Sequence, residues 1–184
     1  MPGAKVRVLG LGNVLMGDDA AGPWVVHELV ANWEFPDGIE VVDVGTPGLD
    51  LVPYLAEADT VLIVDTVKAD GPPGRIRVYE REELFARPTQ PRLSPHDPGL
   101  SETLFTLTLA GSAPRDVALV GIVPSIVDTQ VGLSPPVRAA VPRAAAVVIG
   151  QLTRLGFPPR QRQNALETAP WWEESVGNRV VASS

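Results

Sequence analysis

The chain has 184 residues, 15 Lys and Arg against 22 Asp and Glu, a formal net charge of -7, and 45% hydrophobic residues. That size suits one α/β domain with a buried core, and the negative balance argues against nucleic acid or an anionic membrane as a partner. Cysteine is absent, which excludes disulfides, thiolate metal sites and cysteine nucleophiles. No apolar run approaches the length of a membrane span, and no basic stretch followed by an apolar run opens the sequence. A cytoplasmic protein is therefore expected, and a monomer.

Lys5–Leu11 alternates and then becomes continuously apolar, as a central strand would. A glycine-rich turn follows, and Asp18-Asp19 open a first helix whose buried stripe is Val25, Val26, Leu29, Val30 and Trp33. If Asp18 caps that helix, the Pro23 ring crowds the Asp19 carbonyl, so the helix either bends there or starts at Pro23. Ile39–Val44 reads as a second strand, and Gly45-Thr46-Pro47-Gly48 as a turn into a short helix through Leu55. Thr60–Thr66 is apolar without alternation through Val61, Leu62, Ile63 and Val64, which suits a parallel strand covered on both faces. Arg75–Glu80 alternates like an edge strand.

After an irregular loop holding Ser94-Pro95-His96-Asp97-Pro98-Gly99, Ser101 is placed to cap a helix through about Ala110, weakened by Thr103, Thr106 and Thr108. Val117–Val123 is a fifth strand. A last helix runs from about Pro136 to Leu155, with a kink expected at Pro142 and a stop at Gly156. Alternating strands and helices predict a three-layer α/β/α doubly wound fold, with a five-stranded, mostly parallel twisted sheet and one antiparallel edge strand. One domain is expected over 1–156. Residues 157–184 read as a loosely ordered tail whose tryptophans, Trp171 and Trp172, dock on the body or on a partner.

Glycine turns between strand and helix usually cradle phosphate, because free N–H groups and the helix N-terminus attract anions. This turn carries two carboxylates instead, which suit a cation. Gly12 and Gly17 have P-loop spacing, but Asp18-Asp19 stand where Lys and Ser/Thr must follow. Gly10-Leu11-Gly12 begins a dinucleotide fingerprint, yet Leu15 holds the third glycine position. Asp43 at the end of the second strand is a possible ribose-binding acid, although hydrogen bonding to the Gly45-Thr46 turn is its simpler use.

Open parallel sheets bind ligands beyond the carboxyl ends of their strands. Asp19 follows the first strand, Asp65 ends the third, and His96 lies in the long loop, so all three belong to that edge or near it. Two carboxylates and an imidazole form a ligand set for a divalent transition metal with positions left open for water or substrate. Each has a plainer alternative: Asp18 and Asp19 as helix N-terminal acids, Asp65 capping the next turn, and His96 exposed in its loop. His27 reads as structural, beside the apolar stripe of its helix, and Asp97 as solvated. No G-x-S-x-G elbow and no H-E-x-x-H occurs.

Gly10-Leu11-Gly12-Asn13-Val14-Leu15-Met16-Gly17-Asp18-Asp19-Ala20-Ala21-Gly22 resembles the N-terminal signature of the [NiFe]-hydrogenase maturation proteases. The likeness continues in register through Asp43-Val44-Gly45-Thr46-Pro47-Gly48, Val64-Asp65-Thr66, Ser94-Pro95-His96-Asp97-Pro98-Gly99-Leu100, Leu119-Val120-Gly121-Ile122-Val123-Pro124 and Gly132-Leu133-Ser134-Pro135. The resemblance implies an endopeptidase that removes a C-terminal extension from a [NiFe]-hydrogenase large-subunit precursor once nickel is installed. It also implies that Asp19, Asp65 and His96 are both the metal-binding and the catalytic positions. The Ni2+ they read is implied to be supplied by the precursor, and another divalent ion can take the site in vitro. The first ligand position in that family is often Glu, and here it is the shorter Asp19. Two other readings stay open: a non-catalytic nickel-sensing maturation chaperone, and a nucleotide-binding α/β module using Gly10, Gly12 and Asp43.

Overall fold

The computed structural model describes residues 5–46, 51–56, 58–85, 97–166, 170 and 172. In chain order the elements are β1 (Val6–Leu11), a 3-10 turn (Gly17–Ala20), α1 (Ala21–Asn32), β2 (Trp33–Glu34), β3 (Ile39–Gly45), α2 (Val52–Leu55), β4 (Thr60–Thr66), β5 (Ile76–Glu80), α3 (Arg81–Phe85), α4 (Asp97–Leu109), β6 (Asp116–Ile122), α5 (Pro135–Arg154) and β7 (Arg160–Gln161). Five strands form one sheet in the order β3-β1-β4-β6-β5. Neighbours from β3 to β6 run parallel, and β5 pairs antiparallel with β6. The expected doubly wound sheet with one antiparallel edge strand is the one observed.

Strand alternation divides the core into two layers. Val6 and Val8 of β1, Leu62 and Val64 of β4, and Ala118 and Val120 of β6 pack against α1 and α5. Leu9 and Leu11, Val61 and Ile63, and Val117 and Leu119 face the other way, against Leu55 of α2 and Leu100, Leu104 and Leu107 of α4. Every residue of β4 is buried, as its unbroken apolar run requires of a strand covered on both faces.

Several local expectations are corrected. Asp18 does not cap α1: the turn before the helix has no side-chain cap bond, and α1 begins at Ala21. Pro23 therefore lies in the first turn, where a missing N–H leaves no intrahelical bond unmade. Trp33 leaves the helix to form β2, and Val30 lies on the exposed side of α1. Helix α4 starts at Asp97, four residues before Ser101, because Pro98 in a first turn loses only an N–H that has no helical partner there. Its threonines are accommodated because the Thr106 and Thr108 hydroxyls donate to the Glu102 and Leu104 carbonyls four residues back. Helical backbone continues on both sides of Pro142.

The segment read as a loose tail is stitched to the body over its first part. Strand β7 pairs antiparallel with β2, and the Arg162 and Leu166 N–H groups donate to the carbonyls of Asn32 and Ala31, both at 2.9 Å. Trp172 is buried against the core, edge-on to Trp24, while Trp171 lies outside the described residues. The β2–β7 ribbon has only two residues per strand, too short for periodicity to reveal.

Candidate active site

Strand β1 is the point where the winding reverses. Its crossover through α1 leads to β3 on one side, and β4 lies on the other, so a crevice opens between the carboxyl ends of β1 and β4. Pairing of β1 with β4 stops at Gly10–Val64, whereas β4 stays paired to β6 through Thr66–Ile122. Past Gly10, β1 turns away and the 3-10 turn folds back over the crevice.

Glycines make that return possible. A Cβ on Gly12 would sit 1.8 Å from the Asp19 carbonyl oxygen, and φ there is +144°. A Cβ on Gly22 would meet the Leu11 oxygen at 2.1 Å and the Val64 oxygen at 2.6 Å. These glycines serve close packing of turn and helix on the two strand ends, so the space a cradled phosphate needs is filled by backbone.

The two acids of the turn have different surroundings. Asp18 is 0% exposed. Its Oδ2 accepts the N–H groups of Ser125 (2.8 Å) and Ile126 (2.9 Å) and the Ser134 hydroxyl (2.8 Å). Its Oδ1 accepts the Ser134 N–H at 2.7 Å. Asp18 thus clamps the turn to the β6–α5 loop and to the residue that precedes α5. Asp19, 4% exposed, accepts the Asn13 N–H on Oδ2 at 2.8 Å and the Thr66 hydroxyl on Oδ1 at 3.2 Å. Asp65, 1% exposed, accepts the Thr66 N–H on Oδ1 at 2.7 Å.

The structure therefore brings Asp19 and Asp65 to one edge, each carboxylate joined to Thr66. His96, the third candidate, lies outside the described residues. Among the described residues no group of three His, Cys, Asp or Glu side chains is placed to hold a metal ion. Two buried carboxylates are costly anions unless cations or donors offset them, and as hard oxygen ligands they fit a divalent ion completed by a nitrogen donor from elsewhere.

Other candidates fall away from the edge. His27 packs between Trp24 and Trp172, ring centroids 6.2 and 6.4 Å away, in the structural role expected of it. Asp43 accepts the Gly45 N–H at 3.0 Å, the turn-closing bond foreseen for it. Asp43 reaches solvent, yet desolvation by the surrounding protein raises its carboxyl above the usual carboxylate value, and the Gly45 bond acts in the opposite direction. A hollow of about 430 Å³ opens at the carboxyl end of the sheet, between the segments that follow β4 (Val67 to Asp70) and β6 (Val123 and Pro124). A second, of about 400 Å³, lies at the opposite edge of the sheet among Thr60, Asp116, Arg81 and Arg154, away from this chemistry.

The family model for hydrogenase maturation proteases matches residues 23–151. The chain belongs to the hydrogenase maturation protease family. It is 34% identical over 160 residues to the hydrogenase 2 maturation protease of Escherichia coli, covering 86% of this chain and 97% of that protein. The solved structure of the hydrogenase maturating endopeptidase HybD from E. coli shares its fold with a TM-score of 0.79 at 33% identity, covering 86% of this chain and 98% of that one. The [NiFe] hydrogenase maturation protease HybD from Thermococcus kodakarensis aligns with a TM-score of 0.66 at 28% identity, over 80% and 98% of the two chains. The chain is accordingly a hydrolase, an endopeptidase of hydrogenase maturation.

Sequence reasoning did not single out Thr66 or the partners of Asp18. The signal for Thr66 was its place immediately after an acid closing a buried strand. The Asp18 partners lie 107 to 116 positions away and had no local signal.

Proposed function

We propose that this endopeptidase removes the C-terminal extension of a [NiFe]-hydrogenase large-subunit precursor after nickel insertion. In this reading Asp19, Asp65 and His96 bind the nickel carried by the precursor. The observation that carries it is the pair of buried carboxylates, held by one threonine at the switch point of a chain in this family. A divalent ion bound there supplies Lewis-acid polarisation of a carbonyl or of water. Asp19 and Asp65 contribute fixed oxygen donors whose orientation is set before the substrate arrives, so less ordering is needed at the moment of binding. The hollow between the segments after β4 and β6 lies at the same carboxyl end of the sheet, and in this reading it receives part of the substrate chain.

The test is incubation of the purified chain with nickel-loaded and nickel-free precursor under reducing, anaerobic conditions. Cleavage of the loaded form alone is expected. Binding without cleavage would instead favour a nickel-sensing chaperone. Asp19→Asn, Asp65→Asn and His96→Ala are each expected to abolish processing while leaving the far-ultraviolet circular dichroism unchanged, and wild-type rates in all three would overturn the assignment.

A further inference from the structure

We propose that Thr66 is a positioning residue that sets the orientation of both carboxylates at once. This rests on the proposed role of Asp19 and Asp65. The Val67 N–H donates to the Ile122 carbonyl of β6 at 3.0 Å, and alternation along the strand turns the Thr66 N–H the opposite way, toward β1. There the ladder with β1 has already ended, at Gly10–Val64. The amide would be an unmade donor in a buried crevice, and the Asp65 carboxylate takes it at 2.7 Å. The Thr66 side chain, 1% exposed, donates its hydroxyl to Asp19 Oδ1 at 3.2 Å.

One residue therefore joins two acids that arrive from different elements, the 3-10 turn and β4, 46 positions apart by their numbers, 65 against 19. Its backbone donor fixes Asp65 and its side-chain donor fixes Asp19. The Asn13 N–H holds the other Asp19 oxygen at 2.8 Å, so the Thr66 hydroxyl and that amide act together on the rotation of the carboxylate about its own axis. The methyl of a β-branched side chain restricts χ1 and keeps the hydroxyl aimed. Without that hydroxyl, Asp19 retains its place in the chain but not its presentation toward Asp65.

The test compares Thr66→Val, which keeps the shape and deletes the donor, with Thr66→Ser, which keeps the donor. Three readouts are needed: kcat and KM for nickel-loaded precursor, Co2+ affinity by calorimetry, and Tm. Loss of an outer hydrogen bond to a metal-binding carboxylate typically costs about 10–100-fold in metal affinity or activity. The expected result for Thr66→Val is a kcat/KM at least about tenfold lower, and weaker Co2+ binding in parallel. Thr66→Ser should recover both to within about threefold. If the Val variant does not fold, Thr66→Ala against Thr66→Ser gives the same comparison. Wild-type kcat/KM and Co2+ affinity without the hydroxyl, while Asp19→Asn is inactive, would overturn the positioning role alone. An active Asp19→Asn would instead overturn the site itself.

Discussion

Asp18 and Asp19 are adjacent residues of the same type whose donors come from different parts of the fold. Four donors converge on Asp18, from Ser125, Ile126 and Ser134, and none comes from the helix it was expected to cap. Removing the carboxylate leaves buried N–H groups without an acceptor, each costing about 1–3 kcal/mol. Asp18→Ala is therefore expected to lower stability by ~3 kcal/mol or more, measured by denaturant titration, and to lower processing with it. This split was only half legible beforehand. The charge pair was visible in the local sequence and pointed to a cation, but the residues that neutralise Asp18 come from the far end of the chain. Position in a turn alone fits a capping acid equally well.

At the scale of elements, the turn between β1 and α1 works because its glycines let backbone approach backbone. Gly22→Ala is the sharpest probe, since the new Cβ would press on the Leu11 and Val64 carbonyl oxygens of the two strands that flank the crevice. Overpacking of this kind typically costs about 1–3 kcal/mol. The variant should unfold at lower denaturant with an unchanged m-value, and its displaced Asp19 should slow processing further than the stability loss explains. Elements with a strong apolar signal were readable: β4 runs Thr60–Thr66 as its unbroken apolar run indicated, because burial on both faces suits such a run. Ends governed by proline were less readable. Pro98 lies inside the first turn of α4, where proline is tolerated, and the two-residue β2 and β7 owe their existence to each other rather than to their own sequences. Asp65 was placed by the same strand logic that placed β4, whereas the sequence around His96 carries no periodicity to locate it.

Across the whole molecule, the β6–α5 loop shapes the approach to the carboxylates. The Gly17 N–H donates to the Gln130 carbonyl, the Asp18 N–H to the Ile126 carbonyl, and the Gln130 N–H to the Leu15 carbonyl, so two distant loops form one rim. On it Leu15, Ile126, Val127 and Val131 are exposed, on a chain whose net charge is -7. Exposed apolar side chains gathered at one edge mark a contact surface, and under the proposed function this rim is where the precursor chain is expected to bind. Val127→Asp is expected to raise KM about fivefold, the scale of ~1 kcal/mol of lost contact, with kcat and Tm unchanged. Steady-state kinetics with the precursor, alongside a thermal melt, checks both.

The Asp18 clamp also bears on the order in which the protein is made. Its partners Ser125, Ile126 and Ser134 follow it by 107 to 116 residues, so a growing chain presents the first acidic turn long before anything exists to hold it. Contacts of such long sequence separation form late, because the entropy of closing the intervening loop must be met first. The turn carrying Asp19 becomes rigid only after the residues leading into α5 have arrived and docked. A partly synthesised chain therefore carries Asp18 and Asp19 without the frame that orients them, and that frame can close only once the residues through Ser134 have been made.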